Sequence, residues 1–208
     1  DVAMAINGTA TGTLAQAARS VGARLVHVST DFVFDGRSGI PYAPDAPTGP
    51  LSAYGRTKLA GEQLAGPDAL IVRTAWVYAP TGGNFVRTML RLMAERPEVR
   101  VVADQIGTPT YAPGLASALW TMASKGVSGI HHYTDSGAAS WYDFAFAIFK
   151  MANMDCDLNP IRSEEYPTAA KRPSFSVLDK SRVKKIFQIK IPHWQQSLSE
   201  AIRNSSVK

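Results

Sequence analysis

The stretch SAYGRTKLAGE, residues 52–62, sets a phenol and an ammonium four residues apart, on Tyr54 and Lys58. That spacing is close to one helical turn, so both side chains leave one face and can be aimed at one point. A free phenol titrates near pH ~10, which makes it a poor base but a usable acid at neutral pH, and a nearby ammonium favours the phenolate. The pair is equipped to exchange a proton with a carbonyl or an alcohol. A tyrosine at a helix start also packs without reacting, and the spacing alone does not separate the two roles.

A second hydroxyl bears on the choice. Thr30 closes the apolar run RLVHVST, upstream of the loop that leads to Tyr54. A hydroxyl there can sit beside the phenol and bond the same substrate oxygen, although Ser29-Thr30-Asp31 also reads as the start of a turn.

These residues need a scaffold that brings them together. The segment through AQAARSVG has helical spacing and stops at Gly22, and RLVHVST reads as a buried strand. Residues 31–52 form a long loop, with turn chemistry at Asp35-Gly36 and prolines at 41, 44, 47 and 50. Ser52 can cap a helix from about Ala53 to Ala65, closed by Gly66-Pro67. The strand ALIVRTAWVY follows, then a helix through NFVRTMLRLMAERP, a strand in VRVVADQ and a helix through APGLASALWTMASKG. A strand in GIHHYT and a helix capped by Ser140 complete the alternation, which breaks after Met154. An irregular stretch, a short helix from Asp179 and a last helix after Pro192 remain.

Strands alternating with helices predict an α/β fold with a Rossmann-like parallel sheet and a smaller carboxyl-terminal lobe. Sites in such sheets lie at the carboxyl ends of strands. The ends that matter are Ser29-Thr30-Asp31, Thr74-Ala75-Trp76 and the region of Asp104-Gln105.

Composition narrows the class. With 208 residues, 45% of them hydrophobic, the chain can bury a proper core. It contains no run of eighteen apolar residues, so a membrane span is not expected. The single cysteine, Cys156, offers no intramolecular disulfide and fits a reducing, cytoplasmic setting. The net charge of +5 raises nucleic acid as a partner, but the late basic residues lack interleaved stacking aromatics and a zinc or RNA-binding signature. A mild basic excess also suits phosphorylated small molecules. His27, His131, His132 and His193 show no metal-ligand spacing, and no Gly-x-Ser-x-Gly is present for a nucleophilic hydrolase.

The Ser/Thr, Tyr, Lys constellation resembles the short-chain dehydrogenase/reductase superfamily. The blocks VHVSTDFVFDG, PLSAYGRTKLAGE, VRTAWVYAPTGGNFVRTML, VVADQIGTPTYA and KRPSFSVLDKSRV, in this order, resemble the dTDP-4-dehydrorhamnose reductase family over nearly the whole chain. Phe32 departs from that family's Thr-Asp-Tyr motif, which removes a hydroxyl and keeps an aromatic surface.

The resemblance implies reduction of a sugar 4-keto group by NADPH, or NADH, with Tyr54 as proton donor. Lys58 would hold the nicotinamide ribose and lower the phenol's pKa, and Thr30 would bind the reacting oxygen. Tyr54, Lys58 and Ser29 would be cofactor-binding. Thr30, Asp31, Trp76, Asn84, Gln105 and Arg172 would contact a dTDP-sugar substrate, with Asp31 adjusting the proton affinity of the site and Arg172 offering a fork for a diphosphate. Loop capping for Asp31, core packing for Trp76, solvation for Arg172 and structural hydrogen bonding for Asn84 and Gln105 are the competing roles. Some family members dimerise with a divalent cation such as Mg2+, so a homodimer is in keeping with the resemblance, but no residue here is assigned to a metal. The triad does not separate this reductase from another nucleotide-sugar reductase or epimerase. Non-enzymatic regulatory subunits also keep the Tyr-x-x-x-Lys pair, while Thr30 and Trp76 together favour the reductase.

The family's glycine-rich phosphate loop is missing, since Gly8, Gly12 and Gly22 have the wrong spacing and context. The resemblance places Asp1 partway into the dinucleotide-binding domain. Residues 1–150 would be the later portion of that domain interleaved with substrate-binding segments, and 151–208 a substrate-binding lobe. A sheet edge and apolar faces are then expected to be open, and the chain is read as a fragment or the visible part of a longer polypeptide.

Overall fold

The structure is a computed structural model and describes residues 2–168 and 170–204. In chain order it contains α1 (Val2–Met4), a π-helical stretch (Ala5–Thr9), α2 (Ala10–Ser20), β1 (Val26–Thr30), a 3-10 turn (Asp31–Val33), α3 (Ala53–Ala65) and β2 (Leu70–Thr74). Then come β3 (Val77–Tyr78), α4 (Phe85–Glu95), β4 (Glu98–Val102), β5 (Ile106–Gly107), β6 (Thr110–Tyr111), α5 (Ala112–Ser124) and β7 (Gly129–His132). The remainder is β8 (Ala139–Ser140), α6 (Trp141–Met151), β9 (Asp157–Ile161), a 3-10 turn (Ser163–Glu165), α7 (Ser181–Phe187) and α8 (Trp194–Asn204). The expected α/β architecture with parallel strands is present.

The chain divides into two compact units, each assembled from three segments. The single division expected near residue 150 differs from this in form, and its outer ends, Asp1 and residues 205–208, lie outside the described residues, as does Ala169.

The first unit comprises Asp1–Thr74, Ala116–Tyr133 and Ala170–Lys190. Its sheet is parallel, in the order β1-β2-β7. The central strand, β2, is buried at every position, which is why LIVRT is a nearly continuous apolar run rather than an alternating one. Val26 pairs with Leu70 and the register runs on to Thr30 with Thr74, so two threonines end neighbouring strands together. β1 lies at the sheet edge, with Val28 41% exposed, and Ile6 and Leu14 are also exposed.

Ser52 caps α3 by accepting from the Gly55 amide at 3.1 Å, and Gly66, at φ 80°, ends the helix. α3 packs against the amino-terminal helical stretch, where a Cβ on Gly61 would collide with the Asn7 carbonyl. Val33, Phe34, Tyr42 and Leu178 form a second small core beneath the proline-rich loop, pinned by the Tyr42 hydroxyl donating to Asp35 at 2.7 Å.

The second unit comprises Ala75–Leu115, Thr134–Ala169 and Ile191–Lys208. Its core gathers Tyr78, Met93, Phe144, Ile148, Trp194 and Leu198 from α4, α6, α8 and the short strands. Ser140 and Asp143 form a reciprocal capping box at the start of α6.

Two sequence expectations change here. The run ALIVRTAWVY is not one strand: it breaks after Thr74, and Trp76 takes a left-handed φ of 49° before β3 resumes. The strand in VRVVADQ does not extend the first unit's sheet. As β4 it pairs in parallel with β9, Asp157–Ile161, in a two-stranded sheet of its own. β9 was legible only as irregular chain, because Pro160 cannot donate to a ladder and is tolerated where a strand has a free side.

Candidate active site

Thr30 ends β1 and is buried. Its hydroxyl accepts from the Phe32 amide at 3.2 Å, starting the 3-10 turn, and donates to Asp31 Oδ1 at 3.1 Å. Asp31 is 2% exposed, and burial pushes its carboxyl up to about 6 against the opposing hydrogen bonds from Ser176, Thr30 and the backbone. At neutral pH the site therefore holds a carboxylate close to its titration point.

Tyr54 lies in the first turn of α3 and keeps 47% of its surface open. Phe32 meets it edge-to-face with ring centroids 5.7 Å apart. The phenol is held above its ordinary value. Burial is the largest cause, the Thr30 side chain lowers it as a hydrogen-bonding neighbour, and the charge of Asp31 raises it. This reverses the lowered phenol expected from a lysine one turn away: burial and the Asp31 charge outweigh the hydrogen bond from Thr30.

Lys58 follows on the same helical face, half-buried, with its ammonium donating to the Val28 carbonyl at 2.7 Å and lying 3.4 Å from His27 Nε2. Burial lowers its pKa, and the charge of Glu62 opposes the change. The His27 imidazole is pushed down to about 4, by burial first and then by Lys58, with Glu62 acting the other way. It is neutral at pH ~7 and meets the ammonium as an acceptor.

The glycine between these groups is a site feature that spacing does not reveal. A Cβ on Gly55 would overlap the Phe32 carbonyl and come within 2.9 Å of Pro50. The first turn of α3 therefore lies directly on the 3-10 turn after Thr30, which puts Tyr54 next to Thr30. The sequence signal was the Tyr-Gly pair, whose glycine has no turn to make.

Other expected residues have defined partners. The Ser29 hydroxyl donates to Glu62 at 2.5 Å, on the opposite side of the strand from Thr30. Arg172 is exposed beside Pro173, and that segment packs on the 35–36 turn: Ser174 donates to the Gly36 carbonyl at 2.9 Å, and a Cβ on Gly36 would lie 2.6 Å from Pro173. Ser29, Thr30, Asp31, Tyr54, Lys58 and Arg172 are thus all carried by the first unit.

Trp76, Asn84 and Gln105 belong to the second unit. Trp76 stacks on Trp141 with its edge against Gly107. Asn84 is the cap of α4: it accepts from the Arg87 amide at 3.2 Å and donates to the Ala79 carbonyl at 2.8 Å. Gln105 donates to the Ser163 hydroxyl at 2.8 Å. Trp141, Gly107 and Ser163 went unnoticed in the sequence because only packing brings them to these residues.

Among the described residues no group of three or more histidine, cysteine or acidic side chains is arranged to hold a metal ion. No described helix is long and apolar enough to cross a membrane.

Residues 1–207 match the family described as the RmlD substrate binding domain. A dTDP-4-dehydrorhamnose reductase from Sinorhizobium fredii is 41% identical, over 94% of this chain and 71% of the relative. A solved dTDP-4-dehydrorhamnose reductase from Clostridium acetobutylicum superposes with a TM-score of 0.94 at 42% identity, covering 98% of this chain and 73% of that one. The enzyme of the same name from Bacillus anthracis, solved in complex with NADP, gives a TM-score of 0.92 at 37% identity, over 95% of this chain and 72% of that one. With matches of this extent, the chain belongs to the RmlD substrate binding domain family, that of the dTDP-4-dehydrorhamnose reductases.

Proposed function

We propose that this chain carries the acid and substrate groups of an NADPH-dependent reductase that converts the 4-keto group of dTDP-4-dehydro-L-rhamnose to the alcohol of dTDP-L-rhamnose. The observation that carries the proposal is the seating of α3 on the turn after β1, which sets an accessible phenol beside a strand-end threonine and an ammonium one turn further along the helix. Relatives of this family act on that keto sugar by name, and one has been solved with NADP.

The donor set fits the nicotinamide end of the cofactor. Tyr54 and Lys58 leave one helical face, and an ammonium with a phenol matches the two hydroxyls of a ribose. When bound, NADPH supplies the hydride that the carbonyl carbon accepts. Tyr54 gives its Oη proton to the carbonyl oxygen as negative charge develops there, and a phenol kept fully protonated at neutral pH is ready for that role. Thr30 hydrogen-bonds the same oxygen and fixes its direction. In the structure the Thr30 hydroxyl donates its hydrogen bond to Asp31 Oδ1, and it serves the substrate by turning that donor from the carboxylate to the carbonyl oxygen.

Residues 1–150 are proposed as the later portion of the nucleotide-binding domain with interleaved substrate segments, and 151–208 as the substrate lobe. Trp76 is proposed as an apolar wall for the sugar and Arg172 as the diphosphate partner. Asn84, Gln105 and Ser29 are proposed to act through the backbone and side chains they hold.

NADPH oxidation by the complete gene product with dTDP-4-dehydrorhamnose, beside Tyr54→Phe, tests the reading. Sugar-dependent oxidation that falls about a hundredfold or more in the variant, with the fold intact, is expected. Near-parental turnover would remove Tyr54 as the acid, and no oxidation by the parent would move the substrate to another nucleotide sugar.

A further inference from the structure

A carboxylate and a guanidinium are buried next to the triad, and the chemistry above uses neither. Glu62 is 4% exposed and Arg73 2%. Arg73 grips the carboxylate with both arms of its fork, Nη2 to Oε2 at 2.7 Å and Nε to Oε1 at 2.9 Å, and donates from Nη1 to the Pro44 carbonyl at 3.1 Å. Its guanidinium lies 5.0 Å from the Phe34 ring centroid. Glu62 Oε1 also accepts the Ser29 hydroxyl.

Stability is a weak reason for such a pair. Taking two ions out of water costs several kcal/mol each, and well-packed apolar residues of similar volume often serve a fold as well or better. What an apolar pair lacks is direction. A bidentate fork fixes distance and angle, whereas apolar side chains slide.

The positions joined are those that matter for direction. Glu62 lies one helical turn beyond Lys58 and two beyond Tyr54. Ser29 adjoins Thr30, Arg73 pairs with Ser29 in register, and Thr74 pairs with Thr30. Pro44 lies in the loop that joins the 3-10 turn to α3.

We propose that Glu62 and Arg73, with Ser29 as third member, form a positioning clamp that sets the register of α3 on β1 and so holds Tyr54 beside Thr30 and Lys58 on the Val28 carbonyl. None of the three touches the reacting atoms. The inference rests on the proposed triad, and its test has a readout that needs no substrate.

The test uses the complete gene product and three variants: Ser29→Ala, Arg73→Lys and the double replacement Glu62→Met/Arg73→Leu. NADPH turnover is measured for each, and the Tyr54 phenol is titrated by ultraviolet difference against Tyr54→Phe. Besides the Thr30 hydrogen bond, the charge that acts on the phenol is that of Asp31, while Lys58 is turned to the Val28 carbonyl and to His27. The double variant is expected to fold but to lose about ten- to a hundredfold in kcat, with a smaller change in KM. Its Tyr54 midpoint should rise by at least about half a unit as the contribution from Thr30 is lost. Arg73→Lys keeps the charge without the fork and is expected to follow the double variant.

A folded double variant with the parent's turnover and Tyr54 midpoint overturns the clamp, as does Arg73→Lys with both unchanged. If the double variant does not fold, Ser29→Ala decides, because it removes one bond and buries no new charge: an unchanged midpoint and turnover overturn the clamp. A parent that does not oxidise NADPH overturns the functional reading instead, and the Tyr54 titration then decides the clamp by itself.

Discussion

The indole rings of Trp76 and Trp141 stack at a centroid distance of 3.5 Å and an interplanar angle of 7°. Trp76 holds this position with a backbone φ of 49°, a conformation that costs a non-glycine residue of order 1 kcal/mol or more and persists only where the surroundings impose it. Gly107 is part of those surroundings: a Cβ there would come within 2.6 Å of the indole. One face and one edge of the ring are thereby fixed, which is the geometry a proposed sugar wall requires. Gly107→Ala is expected to displace the indole, change its fluorescence and raise KM for the nucleotide sugar about tenfold while leaving KM for NADPH unchanged. In a Trp76→Leu background the same change should add nothing, and an additive effect in that double-mutant cycle would break the link.

The Asp31 carboxyl carries a pH dependence of defined sign. Its folded pKa, about 6, exceeds the ordinary value of 3.8, so the folded state binds the proton more tightly than the unfolded chain. The associated stability is complete below pH ~4 and is lost as pH rises through ~6, to the extent of about 2–3 kcal/mol. Asp31→Asn keeps the acceptor for Thr30 and removes the titration. The variant should match the parent in urea denaturation at pH ~4 and exceed it at pH ~8. A stability difference between variant and parent that stays the same at the two pH values would contradict the burial.

Gly55 should be intolerant of any side chain. Gly55→Ala sets a methyl against the Phe32 carbonyl and Pro50, so the start of α3 must lift from the turn that follows Thr30. Helix propensity predicts a gain of up to about 1 kcal/mol. The collision predicts a net loss of about 2 kcal/mol or more, with turnover falling in step. Chemical denaturation decides between the two signs.

Ser52 accepts from the Gly55 amide and fixes the turn that bears Tyr54. Ser52→Ala should cost about 1 kcal/mol. Hydrogen exchange ought to show faster opening of the Tyr54 and Gly55 amides, with β2 unaffected. Uniform acceleration across the first unit would mean that the cap supports the whole unit rather than the site.

The proposed triad was legible in the sequence as a candidate because its members obey local rules. Tyr54 and Lys58 share a face by helical spacing, Ser52 announces the start of α3, and Thr30 stands where an apolar strand runs out. The proline-rich loop was equally plain, since no ladder or helix accommodates four prolines so closely spaced. The alternation of strand and helix carried the fold class for the same reason: each element's period is written in its own residues.

What tertiary structure alone decided is everything that depends on residues distant along the chain. Ser29 and Thr30 are neighbours of similar chemistry, yet one hydroxyl is bonded to Glu62 and the other lies beside the phenol, because strand geometry sends successive side chains to opposite faces and only the packing of α3 says which face is which. The partition of β4 into a sheet with β9, the left-handed turn at Trp76 and the burial of Glu62 with Arg73 follow likewise from long-range contacts. Even the direction of the Tyr54 shift reversed between the two levels. Spacing counts the charge one turn away, whereas in the folded site that ammonium is turned to the Val28 carbonyl and the water removed from the phenol dominates.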